Sequence, residues 1–330
     1  MRRWIVTEVR ALCAPQASSL NRMQAAPASV DPLVSVDVNA PPRDHRLFWW
    51  KEALIAAVFY AVYSWTRNQF GSNRVGGDLV PLHAFNNARR VIRFERLIGL
   101  FHEESIQEWF LSQRWLIQAM NVFYGTAHFV VTLGVFLLLY LRRKDVFPQW
   151  RNTLAAMTAL AIVGFALFPL MPPRLLDAPC SEYGGACIGS GLRPEGGTFG
   201  FVDTLAVFGG PWSFDSEGMA DISTQYAAMP SLHIGWALWS AIALWPLLHR
   251  WWLRAAVLAY PMITLLVITV TANHFWLDAV GGVVIFAAGA IIGWGIHRWN
   301  QDRLDRAWLV EHAVAGPADD SDPQHRTPDG

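Results

Sequence analysis

The chain has 330 residues, 53% hydrophobic and 16% charged, with 17 Trp, 19 Phe and a formal net charge of zero. Soluble proteins carry nearer about 25% charged residues, so the composition argues against a soluble globular protein and for a polytopic membrane protein. Zero net charge also removes any global field that would favour nucleic acid as a partner.

Residues 1–46 open with "MRRW" but contain no sustained apolar run, which argues against a cleaved signal peptide. Pro, Ala, Ser and Asp dominate from Ala14 to Arg43, the composition of a disordered tail. A membrane-crossing helix needs about 20 largely apolar residues. Six stretches qualify: 47–65, 116–141, 153–171, 231–248, 255–272 and 277–296. The expected fold is therefore an all-α integral membrane protein, a six-transmembrane-helix bundle over 47–298. A tail follows over 299–330, disordered at its end.

Basic residues orient the spans. "RRK" (Arg142 to Lys144), "HRWWLR" (His249 to Arg254) and "HRW" (His297 to Trp299) follow or join spans two, four, five and six. Positive charge in short loops marks the cytoplasmic side, so both termini are expected inside and segments 67–115, 172–230 and 273–276 outside. Arginine greatly outnumbers the two lysines, which hints at a GC-rich bacterium and hence a bacterial plasma membrane.

Segment 67–115 carries seven arginines although this topology puts it outside. Its part from Arg89 to Phe110 alternates Leu, Ile and Phe with Arg and Glu at helical spacing. It reads as one or two interfacial amphipathic helices between spans one and two; charged helices packed over the bundle fit the pattern equally well. Cys180 and Cys187 bracket "SEYGGA" and either close a short disulfide loop or remain free thiols. With Cys13 they make no metal motif, and neither metal nor cofactor is expected.

Three strings fall at the outer ends of spans: "FPLMPPRLL" (Phe168 to Leu176), "AAMPSLHIGWA" (Ala227 to Ala237) and "TANHFWLDAVGG" (Thr271 to Gly282). Polar groups at such depth need partners or a function. His274 and Asp278 are four apart, so on a helix they share a face. A carboxylate that fixes one ring nitrogen leaves the other as a directed lone pair able to attack phosphorus; a simple helix-capping pair is the competing reading. Ser231, after Pro230, stands at a helix start, where free N–H groups and a positive dipole end seat phosphate. His233 could protonate a departing oxygen. Arg174 offers a guanidinium that binds two phosphate oxygens at once, unless it is an interfacial arginine with its head in water.

These residues resemble the type-2 phosphatidic acid phosphatase superfamily. Pro230, Ser231 and His233 match its P-S-x-H motif, and His274 and Asp278 match its H-x-x-x-D motif, in the same order. The resemblance implies His274 as nucleophile, Asp278 as its orienting carboxylate, His233 as general acid and then base, and Ser231 as a phosphate binder. Two cations of the family pattern are absent: the lysine-bearing first motif is reduced to "PPR", and Ile268 stands where an arginine usually precedes the third motif. Together with "NVFYGTAHF" (Asn121 to Phe129), these departures are similar to the inositol phosphorylceramide synthase branch. His128 and Asn273 are further candidates for lining the site, and Arg89, Arg90 and Arg93 for replacing the missing charge.

The expected activity is lipid phosphotransfer. A phosphoinositol-like head group moves from a phospholipid or polyprenyl-phosphate donor to a lipid or polyol acceptor, through a phosphohistidine, at the outer face. Water as acceptor would make the protein a lipid-phosphate or polyprenyl-diphosphate phosphatase. A non-catalytic transporter is the remaining alternative, disfavoured because no second set of broken spans mirrors the histidine-bearing region.

Overall fold

The computed structural model describes residues 34–36, 49–55, 57–58, 61, 82–179, 185–188, 194, 197–209, 226–311 and 313–315. Leu47–His297 forms one compact unit; residues 1–46 together with 298–330 form a second. In the second unit, strand β1 (Val34–Val36) pairs antiparallel with β2 (Ala313–Ala315), a short ladder where the sequence suggested only tails. Most of both expected tails, and Cys180 with its pairing to Cys187, lie outside the described residues.

The main unit is helical. Two helices come first, α1 (Leu82–Leu97) and α2 (Glu103–Leu111), then α3 (Arg114–Arg142) and α4 (Phe147–Leu167). Two 3-10 turns (Pro173–Leu175 and Gly185–Cys187) and a short helix, α5 (Thr204–Phe208), lie in the described part of the connection to α6 (Leu232–Leu244). The unit continues into α7 (Trp251–Val270) and α8 (Trp276–Glu311).

Four of these, α3, α4, α7 and α8, are long and apolar enough to cross a membrane. The expected fourth span is a shorter apolar helix, Leu232–Leu247. It starts at Ser231 and ends in a 3-10 turn at Pro246, because proline has no N–H to continue the ladder. The expected first span is helical at residues 49–55, 57, 58 and 61, and its remainder is outside the described residues. Glu52 there meets Arg151 of α4 at 2.6 Å.

Helix α6 is the hub, packed against α3, α4 and α7. Its tryptophans tie it to α4: Trp236 Nε1 donates to Thr158 Oγ1 at 3.2 Å and Trp239 Nε1 to the Trp150 carbonyl at 2.9 Å. Helix α8 approaches α6 through Gly282, where a Cβ would come within 2.5 Å of the Ser231 carbonyl. Small residues let helix backbones close up where lipid provides no hydrophobic drive between them. On the outward faces, Val130, Leu133, Leu137 and Leu141 of α3 and Val280, Val283, Val284 and Ile291 of α8 stay exposed. An apolar stripe repeating at three and four residues, left uncovered by protein, is a lipid-facing surface.

The amphipathic segment resolves into two helices, joined where Gly99 adopts φ +73°. Ala84, Phe85, Ala88, Val91 and Ile92 of α1 are buried in one cluster with Leu170, Met171, Leu175, Ala272 and Phe275. So α1 packs over the end of the bundle where the three polar strings lie, with Phe94, Leu97 and Trp109 left exposed around it.

Candidate active site

The three strings meet through their main chains before any side chain is considered. Ser231 N–H donates to the Asp278 carbonyl at 2.9 Å, and Arg174 N–H to the Ala272 carbonyl at 2.8 Å. The turn from α7 to α8 passes through Ala272, a non-glycine residue at φ +51°, a left-handed conformation that costs an L-residue roughly 1–2 kcal/mol. That kink turns the Asn273 and His274 N–H groups back to the Ile268 carbonyl, at 3.0 and 3.3 Å. Strain held in place by its surroundings is characteristic of functional turns.

His274 is 4% exposed and Asp278 fully buried. His274 Nδ1 lies 3.3 Å from Asp278 Oδ2, which also accepts the Phe275 N–H at 2.9 Å. A carboxylate only accepts, so Nδ1 carries the proton and Nε2 the lone pair. That Nε2 faces His233 Nδ1 at 3.3 Å. The expected pair is thus a row of three groups, Asp278–His274–His233.

His233 is sandwiched on its other sides. Tyr124 stacks on it, with centroids 4.6 Å apart and planes 22° off parallel, and His128 meets it edge-on at 4.4 Å. His128 Nδ1 donates to the Tyr124 carbonyl one turn back, at 2.9 Å. His128 therefore lines the site by packing against His233, with one nitrogen already committed to the backbone.

Arg174 joins the site from the connection after α4. Its Nε donates to Asn273 Oδ1 at 2.9 Å and its Nη1 to Asp203 Oδ2 at 2.8 Å. Asn273 is oriented in turn by Thr271, its Nδ2 donating to Oγ1 at 2.8 Å. Ser231, His233, His274, Asp278, Arg174, Asn273 and His128 are therefore all gathered at one end of the bundle. Of the three proposed extra cations, Arg90 is exposed and donates to Asn87 Oδ1 at 3.2 Å, and Arg93 is exposed; among the described contacts, none brings Arg89, Arg90 or Arg93 to this cluster. Ile268 is buried against Ile234 and Ala279, so an apolar side chain fills that position.

Three buried polar atoms here have no hydrogen-bond partner: Ser231 Oγ, His233 Nε2 and Asp278 Oδ1. Leaving a buried donor or acceptor unmet costs about 1–3 kcal/mol, so such atoms concentrate where a ligand supplies the partner. Ser231 N-caps α6 without using its side chain for the cap, which keeps the hydroxyl available.

Asp203 was not recognisable as a site residue. It N-caps α5, its Oδ1 accepting from Leu205 and Ala206 N–H, while Oδ2 holds Arg174. Its capping role is legible in "VDTLAVF", but nothing local announces an arginine 29 residues upstream. Gln107 pins this loop, donating to the Val202 carbonyl at 3.0 Å and the Val270 carbonyl at 3.1 Å. Asn121 fixes its other end through the Thr204 and Gly209 carbonyls.

The chain is 25% identical over 163 residues to the inositol phosphorylceramide synthase catalytic subunit aur1 of Schizosaccharomyces pombe (strain 972 / ATCC 24843). That match covers 49% of this chain and 36% of that protein, so the chain spans about a third of its relative's length. No solved structure matches the chain. The model of the PAP2 superfamily matches residues 89–292, a stretch that holds the histidine row, Ser231, Arg174, three apolar helices of membrane-crossing length and the start of a fourth, and the chain belongs to that superfamily of phosphatase and phosphotransferase enzymes of the membrane.

Proposed function

We propose that this protein transfers a phosphodiester-linked, phosphoinositol-like head group between lipids through a covalent intermediate on His274. One observation carries the reading: the His274 Nε2 lone pair, set by Asp278 on one side, faces His233 across 3.3 Å. A nucleophile and a proton carrier so paired suit two successive in-line displacements. In the first, Nε2 forms a bond to phosphorus, the P–O bond to the donor lipid breaks, and His233 gives that oxygen a proton. In the second, an acceptor hydroxyl yields its proton to His233, its oxygen bonds to phosphorus, and the P–N bond breaks.

Charge favours a diester over a monoester. Arg174 is the guanidinium against the site, and Asp203 offsets part of its charge, while Ile268 stands where a second cation would be. A phosphodiester carries one negative charge and a monoester nearly two, so the weaker positive field suits the diester. Ser231 Oγ and the N–H groups at the start of α6 supply neutral donors.

The two alcohols both arrive opposite His274, on the His233 side. A crevice beside His233 is lined by Phe123, Tyr124, His128, Tyr260, Thr264, Val267 and Ile268.

The decisive measurement is incubation of the purified protein with labelled phosphatidylinositol or polyprenyl phosphates, with the products read by mass spectrometry. The expected outcome is labelled head group on a second lipid or a polyol. Free inositol phosphate from phosphatidylinositol, or free phosphate from a polyprenyl phosphate, without a new conjugate would make the protein a hydrolase instead. Asp203 offers a second check. Asp203→Ala removes the cap of α5 and the anchor of Arg174, and kcat/KM for the donor is expected to fall on the order of 10-fold to 100-fold. Asp203→Asn keeps the cap and loses the charge, and is expected to fall in between.

A further inference from the structure

We infer that Glu95 and Glu103 are positioning residues for His274, and that the α1–α2 hairpin sets where the nucleophile stands. This rests on His274 being the nucleophile. The amide N–H groups of three successive residues after His274 each donate to a different carboxylate. Phe275 donates to Asp278 Oδ2 at 2.9 Å, Trp276 to Glu103 Oε1 at 3.1 Å, and Leu277 to Glu95 Oε1 at 2.8 Å.

These are among the orphan donors that every helix start must satisfy. The usual solution is a side chain at or beside the N-cap. Here two of the three acceptors come from more than 170 residues upstream, on separate helices. The orientation of the first turn of α8, and of His274 immediately before it, is therefore set by tertiary contact. Glu95 and Glu103 are 1% and 0% exposed, so their carboxylates have no water to compete for those bonds. Glu103 Oε2 accepts the His102 N–H at 3.0 Å, which locks the start of α2 into the same network.

Acids this close cannot all be charged. The charged groups acting on Glu95 are Glu103 from α2 and Asp278 from α8. Burial, then the hydrogen bond and negative charge of Glu103, push the Glu95 carboxyl up to about 9. Glu95 Oε2 is buried and meets no donor, so an ionised Glu95 would leave an anionic oxygen unsolvated. A neutral Glu95 still offers Oε1 to Leu277.

The sign follows from proton counting. Between the ordinary value of 4.5 and about 9 the folded protein keeps a proton that the unfolded chain has lost. The contribution is full below that window, declines as pH rises through it, and is gone once pH passes about 9. Ionised, Glu95 repels Glu103 and Asp278, and the start of α8 loosens under His274.

The test uses the full chain in detergent or vesicles, with phosphatidylinositol as donor. Glu95→Gln keeps the acceptor for Leu277 and removes the ionisation. It is expected to hold kcat within about twofold of wild type at neutral pH and to lose the alkaline fall in kcat near pH 9. Glu95→Ala and Glu103→Ala are expected to lower kcat on the order of 10-fold to 100-fold with KM little changed. Hydrogen exchange at the Trp276 and Leu277 amides supplies a readout independent of activity. Protection is expected to persist in Glu95→Gln and to be lost at Leu277 in Glu95→Ala. A Glu95→Gln pH profile superimposed on wild type, or unchanged kcat in both alanine variants, would overturn the inference. If wild type forms no covalent histidine adduct, the reading of His274 fails and the positioning role for catalysis fails with it; the exchange data then still report whether the clamp itself exists.

Discussion

His274→Ala is expected to abolish head-group transfer, with a loss on the order of 10⁴-fold or more, as for other covalent nucleophiles. No other side chain in the cluster has both a ring tautomer set by a carboxylate and a proton carrier opposite its second nitrogen. Quenching at alkaline pH, where a phosphoramidate bond survives, should trap labelled wild-type protein and no labelled variant. Labelled His274→Ala protein would refute the assignment. Asp278→Asn tests the same lone pair more finely. The amide fills the same buried space but can turn its N–H₂ toward His274 Nδ1, which moves the ring proton to Nε2 and occupies the attacking nitrogen. A drop on the order of 10³–10⁴-fold is expected from such a tautomer change, with the fold of the protein intact.

His233→Gln is the second large effect, with an expected loss on the order of 10²–10⁴-fold for a general acid and base. Its diagnostic is leaving-group dependence. A donor analogue with a nitrophenol leaving group needs no proton on departure, so the first displacement should recover most of its rate. The second still needs a base, so labelled His274 adduct should accumulate in the variant. Equal impairment with good and poor leaving groups would remove His233 from proton transfer and leave it a packing residue between Tyr124 and His274.

Both predictions concern residues that stand out in the chain itself. P-S-x-H and H-x-x-x-D are short, yet the alternation of basic loops puts them at one face, and the structure joins them by the Ser231–Asp278 main-chain bond. Arg174 and Asn273 were legible for the same reason, each lying beside a motif or a span end. His128 was legible as a polar residue deep in a span, and its neighbour His233 explains its depth.

Span counting was less complete. Composition identifies four helices that the structure also shows as long and apolar, but "SLHIGWALWSAIALWPLL" is as apolar as any of them and makes a helix of only Leu232–Leu247. Hydropathy registers the apolar run; the short length comes from Ser231 and Pro246 at its ends.

The acids were misread for a physical reason. In "RFERLIGLFHEESIQEWF" Glu95 and Glu103 look like the polar side of an amphipathic helix, because sequence periodicity reports faces and not what a face meets. Both are buried under α8, where unsatisfied amide groups make a carboxylate welcome. Asp203 is similar: its N-cap role is local, and its hold on Arg174 is not.

What the sequence determined by itself is the chemistry that local order can encode: apolar length, basic loops, and a histidine and carboxylate one helical turn apart. What only the tertiary structure decided is which distant groups complete that chemistry. Glu95 and Glu103 carry no local signal, and Asp203 only that of a helix cap, because their distant partners are backbone amides and an arginine brought near by folding, and any segment with a free amide or charge would have suited them equally until the chain was packed.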